Sequence, residues 1–230
     1  LSGPCVQDIS AAVKITVHPT IAGNRLTTPE QIICAGEAPG ILHGEKPSGG
    51  NDSYTYLWEM STDNGATYTG APGTRTNGSY QAPALTQTTW FRRKVVSGMC
   101  DSYSAPVKVT VHEVIAANEI SESQEICIDT APRELAGSQP TGGNGAYTFR
   151  WEYSTTGQPD SFVPVTANGD QRHYSPGIMT HTTWFRRVVT SGACSHVSNT
   201  VKVTVSAEIT RNIVMISQSI YAGQVPAPLT

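Results

Sequence analysis

Aromatic residues occupy every second position around Trp58, and this spacing predicts a β-strand. The alternating set consists of Tyr54, Tyr56, Trp58 and Met60. The corresponding set around Trp151 consists of Tyr147, Phe149, Trp151 and Tyr153. Successive side chains of a strand point to opposite faces of its sheet. We therefore expect the aromatic sets to face a core, while Leu57 and Arg150 face outward.

Valine alternates with lysine or threonine in two further stretches, residues 107–111 and 201–205. This pattern predicts half-buried strands with their valines facing inward. Asp63-Asn64-Gly65 follows the first aromatic strand and is a strong signal for a hairpin turn. Since no stretch has helical periodicity, these elements predict an all-β protein. The predicted core residues are Tyr56, Trp58, Phe91, Phe149, Trp151 and Phe185.

The chain repeats itself with a period of 93 to 94 residues. The sequence Thr-Thr-Trp-Phe-Arg-Arg at residues 88–93 returns at residues 182–187, an offset of 94, and Trp58 returns as Trp151, an offset of 93. This period is too long for most solenoid repeats, but it suits an autonomous immunoglobulin-type sandwich of about 100 residues. We therefore predict tandem immunoglobulin-like antiparallel β-sandwich domains in a linear array.

The repeat register divides the chain into four parts. Residues 1–19 match the C-terminal tail of a preceding repeat, and residues 207–230 match the start of a following one. Residues 20–112 and 113–206 form two whole repeats between them. The joining segments, near residues 114–118 and 207–212, contain Ile, Val and Ala instead of the Gly and Ser of flexible linkers. We expect packed, semi-rigid junctions.

Five cysteines occur at positions related by the repeat: Cys5, Cys34, Cys100, Cys127 and Cys194. Pairing within repeats would join Cys34 to Cys100 and Cys127 to Cys194, leaving Cys5 unpaired by truncation. Pairing between repeats would join Cys5 to Cys34 and Cys100 to Cys127. The second scheme leaves Cys194 unpaired, because Tyr221 occupies the position of its partner. We favour pairing within repeats, since a free internal thiol is unusual in an exported protein.

Composition and charge exclude several classes of function. A formal net charge of −3 provides no basic surface for nucleic acid. No stretch of about eighteen apolar residues is present, so we expect no direct membrane insertion. The six histidines are scattered and no acid, base and nucleophile converge, so we expect neither an enzyme nor a cofactor. Turn chemistry explains the Asn and Asp residues of the glycine-rich loops without a metal ion.

The paired arginines of the Trp-Phe-Arg-Arg strands have predicted structural roles. Glu59 and Glu152 lie on the outward face of the aromatic strands, which neighbour the Trp-Phe-Arg-Arg strands in a sandwich. We therefore expect Glu59 to pair with Arg92 and Glu152 with Arg186. The other arginine of each pair, Arg93 or Arg187, should point toward the core side and extend its charged end to the edge.

Two kinds of surface position are candidates for contact or modification. Trp90 and Trp184 have the parity opposite to the inward-facing Phe91 and Phe185, so they are the candidate surface contacts of a glycan-binding module. The alternative is that neighbouring side chains partly cover both indoles. Asp129-Thr130-Ala131 resembles the Asp-Thr/Ser-small-apolar sites at which Bacteroidetes-type bacteria attach O-glycans, so Thr130 is the candidate acceptor.

The combined motifs resemble the immunoglobulin- or PKD-like repeats of giant Bacteroidetes cell-surface adhesins. The motifs are Gln-Ile-Ile-Cys at 31–34, Pro-Ser-Gly-Gly at 47–50, Tyr-Thr-Tyr-Leu-Trp-Glu at 54–59, the segment 85–93, Ser-Gly-x-Cys at 97–100 and the closing valine strand. Such proteins include the SprB-type gliding-motility adhesins, which are substrates of the type IX secretion system. The resemblance implies export across the outer membrane and an extracellular, cell-surface location.

We therefore expect a non-catalytic structural and adhesive segment of a long secreted fibre that mediates surface attachment or gliding. Its expected partners are neighbouring repeats of the same chain, and an extracellular polysaccharide or a solid surface. The alternatives are a glycan-binding module, and spacer domains of a secreted hydrolase. Two or three exposed aromatic residues on one face would favour the first alternative.

Overall fold

The computed structural model describes residues 10–210 and 217–228. The chain divides into two compact units, one formed by Leu1–Val114 with Gly192–Cys194 and the other by Ile115–Ser191 with Ser195–Thr230. The described residues are almost entirely strands and loops, with one short 3-10 helix at Pro159–Ser161. Cys5 and part of the predicted joining segment 207–212 lie outside the described residues.

The first unit is built on one sheet. Its strands are β1 (Gln31–Cys34), β2 (Thr55–Ser61), β3 (Thr69–Gly70), β4 (Thr89–Ser97), β5 (Cys100–Tyr103) and β6 (Val107–Ala116). The strand order is β1-β6-β4-β2-β3, and β5 also pairs with β4. β1 runs parallel to β6, whereas the pairs of β4 with β2, β5 and β6 are antiparallel.

Extended segments held by isolated bridges form the layer opposite this sheet. Single antiparallel bridges link Ala22 to Ser48, Leu26 to Gly44, and Leu42 to Tyr80. Backbone hydrogen bonds run in both directions between Leu42 and Tyr80, at 2.8 and 2.9 Å. The unit is therefore an immunoglobulin-like sandwich with one regular sheet and one irregular layer.

The core of the first unit is an aromatic stack between the two layers. Trp58 of β2 stacks on Tyr80 with ring centroids 5.6 Å apart and 25° between the ring planes, and the Phe91 ring of β4 lies 5.7 Å from that of Tyr80. Leu42 and Val109 are fully buried in the same cluster. The Trp58 indole nitrogen donates a hydrogen bond of 2.9 Å to the Asn77 carbonyl, which satisfies the one polar atom of that side chain.

The second unit repeats this arrangement. The strands that follow β6 are β7 (Gln124–Cys127), β8 (Thr141–Gly143), β9 (Thr148–Ser154), β10 (Val163–Pro164), β11 (Thr183–Ser191), β12 (Cys194–Val197) and β13 (Val201–Ser206). The sheet of the second unit has the order β10-β9-β11-β13-β7, and β12 also pairs with β11. Trp151 of β9 and Phe185 of β11 flank Tyr174, with centroid distances of 5.5 and 5.8 Å.

Strand β6 and the N-terminal segment differ from the sequence-based expectations. β6 continues to Ala116, so most of the joining segment expected at 114–118 is strand. Residues 13–17 have the valine pattern of β6 but form no strand, and Val13, Ile15 and Val17 are exposed. In the first unit this pattern forms β6, which pairs with β1 and β4.

The turn after β2 forms around Asp63. Asn64 and Gly65 both have positive φ, 66° and 82°, as the Asn-Gly sequence favours. The Asp63 carboxylate accepts hydrogen bonds from the Ser61 hydroxyl at 2.6 Å and from the Thr67 amide at 2.9 Å. These bonds from Ser61, and next from Thr67, hold the pKa of Asp63 well below its ordinary value.

We predict that Asp63 stabilises the first unit at neutral pH and that this contribution disappears in acid. Because the folded pKa of Asp63 is depressed, the stabilisation is complete above the unfolded pKa of about 3.9 and is lost as pH falls toward the folded pKa. The Asp63→Asn variant should unfold more easily than the wild type at about pH 7 and about pH 5, with a difference that shrinks below about pH 4. Urea unfolding, followed by tryptophan fluorescence, measures this difference in the free energy of unfolding at each pH.

The matched control is Asp52→Asn, an exposed carboxylate of the same unit that already has a positive φ of 63°, which asparagine tolerates. A difference for Asp63→Asn that stays constant down to pH 2 would contradict the assignment.

Candidate functional site

The two cysteines of each repeat lie near opposite ends of one sheet. Cys100 pairs with Ser97 at one end of β4. Cys34 pairs with His112, on the part of β6 that runs past the other end of β4. At about 3.3 Å per strand residue, the two cysteines of the first repeat are roughly 35 Å apart along the strands. A disulfide needs Cα atoms within about 7 Å, so these two cannot bond.

The structure instead joins Cys34 to Cys194, with their Cα atoms 5.0 Å apart. Both residues belong to the first compact unit, although Cys194 belongs to the second sequence repeat. The predicted pairings Cys34–Cys100 and Cys127–Cys194 are therefore wrong, and so is the alternative Cys100–Cys127. Among the described cysteines, Cys100 is free and half-buried, and Cys127 is free and exposed.

Both bonded cysteines lie at strand ends that pack close to the backbone of β6. Cys34 ends β1, and the backbone amide of the next residue, Ala35, donates a hydrogen bond of 2.8 Å to the His112 carbonyl. Cys194 opens β12, and its sulfur lies 3.2 Å from the Glu113 carbonyl oxygen. Both cysteines are buried, so the bond is shielded from solvent.

Arg93 is a fully buried cation in the first unit. It lies on the inward face of β4, and its side chain makes hydrogen bonds to the Asn24 Oδ1 at 3.1 Å, the Gly78 carbonyl at 2.9 Å and the Glu45 carbonyl at 2.7 Å. The Tyr56 ring centroid lies 5.1 Å from the guanidinium carbon. Burial lowers the pKa of Arg93 from its ordinary value. The expectation that the charged end of Arg93 extends to the edge of the sheet is wrong, because the loops that contain Asn24, Glu45 and Gly78 supply acceptors inside the sandwich.

Arg187 has the same environment in the second unit. Its Nε and Nη2 atoms donate to Asn118 Oδ1 at 3.0 and 2.8 Å, and further bonds reach the carbonyls of Arg172 and Ser138. The Phe149 ring centroid lies 5.1 Å away. Desolvation by burial, together with the Arg172 charge, lowers the pKa of Arg187.

The six predicted core residues fall into two groups. Tyr56 and Phe149 are half-buried and lie against the two arginines. The other four are buried: Trp58, Phe91, Trp151 and Phe185.

Asn24 and Asn118 are the residues that sequence reasoning missed. Besides accepting from the guanidinium, the Asn24 amide donates to the carbonyls of Arg93 and Ser102, and the Asn118 amide donates to those of Arg187 and His196. Each asparagine therefore links the arginine to the backbone of two strands. The sequence does hold one indication of their role, because an asparagine recurs at the repeat spacing of 94 residues.

The predicted cross-strand ion pairs are confirmed. Arg92 and Glu59 are register partners joined at 2.7 Å, and Arg186 and Glu152 are joined at the same distance. Tyr68 and Tyr103 place their rings 3.8 and 4.4 Å from the Arg92 guanidinium. In the second unit the Phe162 ring lies 4.2 Å from Arg186.

Trp90 and Trp184 are half-buried under lysine side chains. Each lies opposite a lysine on the neighbouring strand, and the ammonium groups of Lys108 and Lys202 stand 5.5 and 5.2 Å from the indole rings. One lysine ammonium group therefore stands near the face of each indole. Thr130 is exposed in the turn after β7, where its hydroxyl donates to the Cys127 carbonyl at 2.6 Å.

The described residues hold no group of three or more His, Cys, Asp or Glu side chains suited to binding a metal ion. Within residues 10–210 and 217–228, no helix is long and apolar enough to span a membrane.

Comparison with known protein families finds one domain twice in the chain. Residues 24–113 and 116–207 each match the model of the Domain of unknown function (DUF8696). A search of the curated proteins found no match.

Solved structures of multi-domain immunoglobulin proteins are similar in fold. Extracellular domains 3–5 of Drosophila OTK share 11% identity at a TM-score of 0.48, covering 77% of this chain and 59% of that one. The N-terminal four Ig domains of Dscam1 isoform 6.9 share 8% sequence identity at a TM-score of 0.41, and the match covers 84% of this chain and 48% of that one. The titin I-band fragment I67-I69 shares 12% sequence identity at a TM-score of 0.40, and the match covers 80% of this chain and 64% of that one. The chain thus spans about half to two thirds of these structures.

We predict that Arg93→Leu destabilises the first unit by about 3 kcal/mol or more, because Asn24 Oδ1 and the two carbonyl oxygens lose their donor. Denaturant unfolding measures this change. The matched control is Arg25→Leu, which removes an exposed ion pair with Glu45 and should cost at most about 1 kcal/mol. Equal effects of the two substitutions would show that burial of Arg93 has no energetic consequence.

We also predict that a digest under non-reducing conditions contains a peptide that joins Cys34 to Cys194. Cys100 and Cys127 should react with a thiol alkylating reagent before reduction, Cys127 faster because it is exposed. Mass spectrometry with and without reduction reads both results. Recovery of a peptide joining Cys34 to Cys100 would contradict the geometry of β4 and β6.

Proposed function

The chain belongs to the DUF8696 family, and from that premise we propose that its two domains are non-catalytic structural and adhesive repeats of a long secreted fibre on a bacterial cell surface. The tandem arrangement supports this proposal, since two copies of one immunoglobulin-like sandwich follow each other in the chain. The repeat bounds that we propose are residues 20–112 and 113–206, between a preceding tail at 1–19 and a following head at 207–230.

The disulfide is the observation that carries the proposal. Cys34 and Cys194 are separated by 160 residues in sequence. A tensile force on the two chain ends passes through this covalent bond, so the residues between the cysteines cannot be pulled out while it is intact. A fibre subject to drag gains resistance to extension from such a bond.

The buried polar networks support the same role. Arg93 and Arg187 each tie loops of the opposite layer to the central strand of their sheet, through side-chain and carbonyl acceptors. The ion pairs of Arg92 and Arg186 connect the central strand to its neighbour. Breaking either sandwich apart therefore requires separating several hydrogen bonds together with an aromatic core.

The finer assignment follows the resemblance to SprB-type adhesins. We propose that the full protein leaves the cell through the type IX secretion system, crosses the outer membrane and functions in attachment or gliding. Its partners would be neighbouring repeats and an extracellular polysaccharide or solid surface. In such a protein the exposed Thr130 is the candidate acceptor of an O-glycan.

We predict that single-molecule stretching of the 230-residue chain shows a large gain in contour length when reductant is added. Release of 160 residues corresponds to about 50–60 nm at roughly 3.6 Å per residue. The Cys34→Ser variant should show the longer extension without reductant, and Cys127→Ser is the control that should behave as the wild type. Identical extension of the wild type with and without reductant would remove the support for a mechanical role.

A further inference from the structure

The cysteines form two classes according to their place in the repeat. Cys34 and Cys127 form the early class, at the end of the first strand of each repeat, and are 93 residues apart. Cys100 and Cys194 form the late class, at the start of the strand after the Arg-Arg strand, and are 94 residues apart. Cys5 has the late-class sequence context.

The two classes lie near opposite ends of the sheet in both repeats. Cys127 pairs with Ser206 at the end of β13, beyond the Thr183 end of β11. Cys194 follows the Ser191 end of the same strand, in the hairpin between β11 and β12. This is the arrangement already described for Cys34 and Cys100. Each repeat therefore carries one thiol position near each end of its sheet, too far apart for a bond within the repeat.

The bond in this structure joins the early cysteine of one repeat to the late cysteine of the next. This bond leaves two described cysteines free, Cys100 of the late class in the first repeat and Cys127 of the early class in the second. The two free thiols therefore include one of each class. Both thiols reach solvent, since Cys127 is exposed and Cys100 is half-buried.

We propose that Cys100 and Cys127 are cross-linking sites that join this segment to further repeats of the same kind, in the order early cysteine to late cysteine of the following repeat. The partner is the thiol of another DUF8696 repeat, placed either in the same polypeptide or in a second copy of the chain. The cross-link rests on the connectivity of the cysteines and holds whether or not the fibre is adhesive.

The chemistry is thiol–disulfide exchange with a low-molecular-weight disulfide such as oxidised glutathione. One protein thiolate attacks the small disulfide and releases one small thiol, and the second protein thiolate then displaces the other. The two protein cysteines lose two protons and two electrons in total. The small disulfide takes up both and becomes two thiols, so the step balances.

The first test mixes two single-thiol variants in a Cys5→Ser background. Cys100→Ser retains Cys127, and Cys127→Ser retains Cys100, while both keep the Cys34–Cys194 bond. Each protein alone can form only a like-with-like dimer. In oxidised glutathione, the mixture should give several-fold more covalent dimer on a non-reducing gel than either variant alone, and peptide mapping should find Cys127 joined to Cys100.

The second test distinguishes the source of the partner. In an extended chain, residues 20–206 occur twice in succession, which places the second Cys100 one repeat after the first Cys127. A bond between these two in a monomeric product shows that the partner lies in the same polypeptide. If the mixed single-thiol variants form dimers but the extended chain forms no internal Cys127–Cys100 bond, the partner thiol lies in a second copy of the chain.

Either result supports the cross-link. It is overturned if neither test yields a Cys127–Cys100 bond, or if like-with-like dimers form as readily as mixed ones. Recovery of the unalkylated Cys34–Cys194 peptide from a non-reducing digest, before and after oxidation, confirms that each variant retained its first disulfide.

Discussion

A fully buried guanidinium is the constraint on which each sandwich depends. Arg93 and Arg187 occupy inward positions of the central strand, where the alternation of the strand would otherwise place an apolar side chain. A cation in that position is stable only if most of its donors find acceptors, because desolvating a charge is costly. The acceptors come from loops of the irregular layer, so the folding of those loops and the burial of the arginine require each other.

Glycine and asparagine positions follow from this constraint. A Cβ atom at Gly44 would lie 2.1 Å from Arg93 Nη1, and one at Gly137 would lie 1.8 Å from Arg187 Nη1. The backbone must approach the guanidinium closely at these two points, which only glycine permits. Asn24 and Asn118 complete the arrangement, because one amide group can accept from the arginine and donate to the neighbouring strands. The irregular layer is therefore positioned by a polar network as well as by the aromatic stack.

The sequence predicts the regular part of this fold well and the polar and covalent links poorly. The alternation around Trp58 and Trp151 identifies the inward faces, and the shared strand register then identifies the pairs of Glu59 with Arg92 and Glu152 with Arg186. Arg93 escapes such reasoning, because a charged residue is ordinarily expected at the surface and two of its acceptors are backbone carbonyls, which carry no sequence signal. The pairing of the cysteines escapes it because the parallel pairing of β1 with β6 decides at which end of the sheet Cys34 lies.

The Cys34–Cys194 bond also changes what a protease can do to the chain. A single cut between residues 35 and 193 opens the backbone but leaves the two fragments covalently attached to each other through the sulfur atoms. The chain is a closed covalent ring between Cys34 and Cys194. An exposed loop of either sandwich can therefore be nicked without severing the molecule, and two events, a cut and a reduction, are needed to divide it.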